Sequence, residues 1–130
     1  MPKITIKTLP VQPETNIPGL LKILGDKLSK ALDLPLNRLV ILWEFIPPYH
    51  FLFNGKLAPC QPISTHHPIV EIAALEGMPR KMETIMFQTI ARQLTRGLSI
   101  DPDNICLVFT PIQTGKLFVP GKSPGKPPVK

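Results

Sequence analysis

Two stretches of this chain say the same thing twice. Pro2 and Pro68, 66 residues apart, each open a short apolar segment that is followed by a helical stripe and then by a second apolar run. Pro35 and Pro102 each precede the last run of their half at an offset of 67, as do Asn37 and Asn104. A repeat of this length is a duplicated strand–helix–strand unit and not a solenoid. The right-handed crossover rule makes the two strands of each unit parallel. Two such units predict an α/β fold: tandem β-α-β units building a four-stranded sheet with both helices on one face. The other face then needs cover, and a partner subunit is the usual solution.

The local signals fill in this frame. Residues 2–9 alternate, with Ile4 and Ile6 on one face and Lys3, Thr5 and Lys7 on the other, as in a half-buried strand. Asn16 and Pro18 open a helix whose stripe is Leu20, Leu21, Leu24, Leu28 and Leu32, and Pro35 closes it. Arg38 to Phe45 is nearly all apolar, which predicts a strand covered on both faces. Ile69 to Leu75 reads as the third strand, Met82, Ile85, Met86, Ile90 and Leu94 as a second helical stripe stopped near Gly97, and Ile105 to Phe109 as the last strand. Between the halves, Asn54-Gly55 flanked by Phe51-Leu52-Phe53 predicts a short hairpin.

Charge narrows the function classes. The chain of 130 residues has a net charge of +6, but residues 104–130 hold four lysines and no acid, so only +2 remains on the body. The Pro- and Gly-rich end, 115–130, reads as a basic tail after a domain at 1–114 with half-repeats at about 2–46 and 68–112. With 6% aromatic residues there is little for base stacking, so nucleic acid is not expected as a partner. No continuous apolar run of about 18 residues suggests a membrane span, and the start lacks a signal-peptide core, so a cytoplasmic location is expected. Two cysteines without a CxxC pair are too few for a four-ligand zinc site. His50, His66 and His67 lack helical spacing or a carboxylate partner, and no metal is expected.

The segment Pro68-Ile69-Val70-Glu71-Ile72-Ala73-Ala74-Leu75-Glu76-Gly77 resembles the opening strand of the 4-oxalocrotonate tautomerase family. Asp33-Leu34-Pro35-Leu36 and then His50-Phe51, Gly55 and Leu57-Ala58 resemble the second half of the same short subunit. The chain thus looks like two such subunits fused, the architecture of the macrophage migration inhibitory factor family. To that family it is also similar in its Met-Pro start, in Phe53-Asn54-Gly55 with Pro59-Cys60, and in Ile100-Asp101-Pro102-Asp103. The resemblance to the tautomerase superfamily covers roughly residues 1–112 and implies a homotrimer with active sites near subunit boundaries. It also implies a cofactor-free tautomerase or isomerase in which an amino-terminal proline is general base or acid on a small keto-enol acid. A free amino terminus has a pKa of about 7.7–8.0, and an apolar pocket lowers it further, so such a base works at neutral pH without a metal.

On this reading Pro2 is the catalytic residue, once Met1 is removed. Pro68 holds the equivalent place in the second half, but its nitrogen is an amide inside the chain. Phe51 matches a phenylalanine that lines the proline pocket, and Ile69 an apolar pocket residue; each could equally be an ordinary packed side chain. The family's carboxylate-binding arginines have no direct counterpart, since Val40 and Met78 occupy those positions and Leu34 stands where a lysine is found. Arg38, two residues before Val40 and thus expected on the same strand face, and Arg80, two after Met78, are the substitutes; a guanidinium grips a carboxylate at two points. Their other reading is a solvated arginine. Ile63 replaces the second cysteine of the migration factor's CxxC, so thiol redox chemistry is not expected of Cys60. The alternative function is a non-catalytic structural or binding trimer of the same fold.

Overall fold

The computed structural model describes residues 2–62 and 64–117. The main sheet contains β1 (Lys3–Thr8), β2 (Val40–Phe45), β5 (Ile69–Leu75) and β6 (Cys106–Ile112), in the order β2-β1-β5-β6. A separate two-stranded hairpin joins β3 (Leu52–Phe53) and β4 (Lys56–Leu57). Within each half the strands are parallel, β1 with β2 and β5 with β6, and the halves meet through the antiparallel pair β1–β5. Helices α1 (Ile17–Leu32) and α2 (Arg80–Leu98) pack against one face of the sheet. The two β-α-β units expected from the repeat are present, with both helices on one side.

The duplication reaches individual contacts. Lys3 pairs with Val40 as Ile69 pairs with Cys106, and the Val40 amide donates to the Pro2 carbonyl at 3.2 Å as the Cys106 amide donates to that of Pro68 at 3.0 Å. The buried stripe of α1 is Leu20, Leu24, Leu28 and Leu32; 66 residues on, α2 buries Met86, Ile90, Leu94 and Leu98. Ile4 and Ile6 from β1 and Val70 and Ile72 from β5 complete the core at the same offset. The working offset is therefore 66 through strands and helices. The 67-residue spacing of Pro35 and Pro102 belongs to the turns, where chain geometry is less constrained.

Helix ends follow local chemistry. The Asn16 side chain accepts from the Gly19 amide at 3.0 Å and caps α1, with Pro18 in its first turn. Both helices stop within a few residues of where the sequence suggested. α1 ends at Leu32 with Asp33 in the left-handed conformation, before Pro35. α2 continues through Gly97 and ends at Leu98, with Ser99 left-handed. The hairpin turn is as expected: Asn54 and Gly55 have φ of 53° and 73°, the positive pair that a tight two-residue connection requires.

β2 is not covered on both faces. It is an edge strand: Ile41 and Trp43 pack toward the helices, while Leu42 on the other face is 41% exposed. Among the described residues no helix covers that face of the sheet. It presents Val40, Leu42 and Glu44 beside Lys3, Thr5 and Lys7, then Ile69, Glu71 and Ala73, then Cys106, Val108 and Thr110. Lys7 bridges Glu71 diagonally at 2.7 Å. The hydrogen bond to Glu71, then its charge, and the further charge of Glu44 raise the lysine above its ordinary range. Among the described residues no helix is long and apolar enough to cross a membrane.

Candidate functional site

The register separates the expected site residues into two groups. Pro2 precedes β1 and is buried, its carbonyl held by the Val40 amide. β2 begins beside it, and because β5 runs antiparallel to β1, with Lys3 opposite Ala73, β5 finishes at the same end. Arg38 closes the one-turn 3-10 helix Leu36–Arg38 just before β2. It is not on the strand, so the shared face with Val40 expected from a two-residue spacing does not arise; it sits in the turn beside Pro2 instead. Arg80 is the first residue of α2, four residues after Glu76, whose amide donates to the Ile112 carbonyl at 2.8 Å. Pro2, Arg38 and Arg80 therefore gather at one end of the sheet.

The chemistry of this end suits a small anion. Both arginines are exposed, while Leu39 and Met78 are partly buried and pack on the core. Pro79 precedes α2 and no side chain caps it, so the partial positive charge of that helix terminus adds to Arg80. Val40 and Met78, at the places of the family's arginines, supply apolar surface instead of charge.

Ile69 and Phe51 lie at the other end. Ile69 pairs with Lys7, five residues along β1 from Pro2, which is about 17 Å at strand rise. Within one chain it lines no pocket beside Pro2; the end of β5 that reaches Pro2 is Ala73 and Ala74. The Phe51 ring stands edge-on to His66 and His67, with centroids 5.0 and 5.6 Å apart, and these histidines lead into Pro68. Phe51 thus belongs, within the chain, to the Pro68 end.

That second end is built around a pair the sequence offered only as a poor metal motif. His66 is 1% exposed. Its Nε2 donates to the Lys56 carbonyl at 3.0 Å, and in this tautomer Nδ1 accepts from the Thr65 hydroxyl at 2.9 Å. Both ring nitrogens are committed to protein partners. His67 is only partly buried, and burial, followed by the charge of His66, lowers its pKa below the usual imidazole value. The sequence signal for this cluster is the spacing of aromatic and histidine residues around the hairpin, Phe51, Phe53, His66 and His67.

Comparison with known proteins bears on the fold. No family model matches the chain, and no curated protein matches it in sequence. Among solved structures it is similar to a fused 4-OT in an asymmetric trimer (TM-score 0.80, 13% identity, covering 93% of this chain and 94% of that one). It is also similar to Pt0534 inactivated by 2-oxo-3-pentynoate (TM-score 0.79, 13% identity, 92% of each chain). A third is a macrophage migration inhibitory factor homologue from Prochlorococcus marinus (TM-score 0.68, 18% identity, 91% of this chain and 95% of that one).

Proposed function

Taking as premise that the chain has the tautomerase-superfamily, migration inhibitory factor-like fold, we propose that it is a cofactor-free tautomerase acting on a small keto-enol acid. Pro2 is its base once Met1 is removed. The observation that supports this is the convergence of Pro2, Arg38 and Arg80 on one end of the sheet. A secondary amine there, beside the apolar Leu39 and Met78, would be held mostly neutral at pH 7 and could take a proton from the carbon next to a carbonyl. The arginines would hold the carboxylate. The same amine, now protonated, would return the proton to the other terminus of the enol system.

The active assembly on this reading is a homotrimer. The helix-free face of the sheet offers exposed Leu42 and Val108 to a neighbouring copy, and the fused 4-OT of similar structure is a trimer. Phe51 and Ile69 would then serve as substrate-binding residues only across a subunit boundary, from a neighbouring chain.

The test uses protein confirmed by intact mass to lack Met1. Enol-to-keto conversion of a simple aryl pyruvate should fall in Pro2→Gly and fall further when Met1 is retained, since that turns the nitrogen into an amide. No turnover above buffer, or Pro2 variants equal to the parent, would leave the second reading. That reading, a non-catalytic binding trimer, is favoured by the apolar Val40 and Met78 where the family has arginines.

A further inference from the structure

The fold has two equivalent ends, and only one can carry a free amine. At the Pro68 end lies a cavity of about 510 Å³, between the β3–β4 hairpin, the loop leading to Pro68 and the start of β6. Its size falls within the range of small-molecule sites, roughly 300–1,000 Å³. We propose that this cavity is a second, non-catalytic binding site for a small aromatic carboxylate.

The walls supply both halves of such a ligand's recognition. Phe53 and His67 stand edge-on with centroids 4.9 Å apart, and Ile105 and Cys106 add apolar surface from β6. A planar ring suits such a lining, because aromatic edges and faces pack with their quadrupoles offset. Lys56 provides the cation for the carboxylate; Asp103 also lines the cavity, but among the described residues no ion pair joins it to Lys56. The neutral form of His67, favoured by its surroundings, neither repels a ring nor competes with Lys56 for the acid.

The site is also pre-formed. Gln61, fully buried, donates from Nε2 to the His66 carbonyl at 3.0 Å, and His66 in turn donates to the Lys56 carbonyl. These bonds tie the loop to the hairpin, so Lys56, Thr65 and His67 face the cavity without ordering on arrival of a ligand; less entropy is then lost on binding. Pro68 is the counterpart of Pro2, but its nitrogen is acylated, so the site binds and does not transfer protons.

The proposal stands apart from the role of Pro2, and one titration separates them. Sodium benzoate is added to the isotopically labelled full-length chain with Met1 retained, while amide resonances are followed. Saturable shifts confined to residues 53–56, 64–67 and 104–106 are expected. Lys56→Met should weaken binding about tenfold, the loss of one charge-assisted contact, and neutral benzamide should bind as weakly to the parent. Shifts confined to the Pro2 end, equal affinity for benzoate and benzamide, or no saturation at millimolar concentrations would each overturn the proposal. Activity lost on Pro2→Gly with benzoate binding unchanged would leave both readings in place.

Discussion

Thr5 pairs with Glu71, the residue that holds its own place in the second half. The approximate two-fold axis therefore runs between these two residues, and this one pairing locates everything else along the central strands. Pro2 and Pro68 fall at opposite ends, Lys7 reaches Ile69, and Lys3 reaches Ala73. The diagonal Lys7–Glu71 ion pair beside the axis has one partner from each half.

Equivalent core positions should respond alike to truncation. Leu24 and Ile90 are 66 residues apart, fully buried, and centred on their helices. Leu24→Ala and Ile90→Ala should each cost about 2–5 kcal/mol in denaturant unfolding, the range for large-to-small changes in a closed core. A cost under about 1 kcal/mol at either would show that its helix does not share the common core.

The helix glycines should part company. A Cβ on Gly25 would meet Leu36 and Ile41 at ordinary contact, 3.9 Å. Gly25→Ala should therefore stabilise by about 0.5–1 kcal/mol through helix propensity. A Cβ on Gly97 would come within 2.7 Å of Leu20 on the other helix, so Gly97→Ala should destabilise, at about 1–3 kcal/mol of overpacking less that same gain. Urea midpoints of the two variants, moving in opposite directions, would verify this.

Ser99 ends α2 with φ of 56°, a conformation that strains a side chain with a Cβ. Ser99→Gly relieves about 1 kcal/mol of that cost, offset partly by a looser unfolded chain. A small rise in thermal midpoint is expected, and the same for Asp33→Gly, whose φ is 53° at the end of α1. A fall in both would mean the side chains themselves stabilise the caps.

The loop before Pro68 should weaken in mild acid. Because the folded protein holds His67 below its ordinary pKa, the unfolded chain binds protons more readily. The stabilising effect is complete above about pH 6.5 and is lost as pH falls toward the folded value. The protection of amides in residues 64–67, taken relative to their intrinsic exchange rate at each pH, should therefore fall between pH 7 and pH 5, and His67→Asn should flatten that dependence. An equal dependence in the variant would point to another group.

Much of the fold is legible in the sequence because the repeat is carried by core residues. Leu20, Leu24, Leu28 and Leu32 reappear as Met86, Ile90, Leu94 and Leu98, and each member must face the same sheet. The site is less legible. Alternation along β1 and β5 fixes the antiparallel register only to within an even number of residues. Nothing in the residues announces that the axis crosses at Thr5, so the separation of Ile69 from Pro2 within one chain is not legible in the sequence. Arg38 was misplaced for a related reason: the apolar run Leu39-Val40-Ile41 reads as a strand from its beginning, but the preceding residues close a turn on Pro35, with the Arg38 amide donating to the Pro35 carbonyl at 2.9 Å. The Phe51–His66–His67 cluster depends on how a long excursion folds back, which no short-range pattern encodes.

The placement of β6 has an outcome for chain topology. Its last residue, Ile112, pairs with Leu75 at the sheet end where β1 starts, so the first strand begins and the last one finishes at the same end of the sheet, with only β5 between them. A short linker from the end of β6 to Pro2, with the chain opened before Pro68, would keep every strand pairing and move the new amino terminus to the opposite end of the sheet. Which end bears a titratable amine is thus decided by where translation begins, while folding is indifferent to it. In a permuted chain of this kind the free amine would stand in the company of Phe51 and His67, and Pro2 would be an ordinary peptide link.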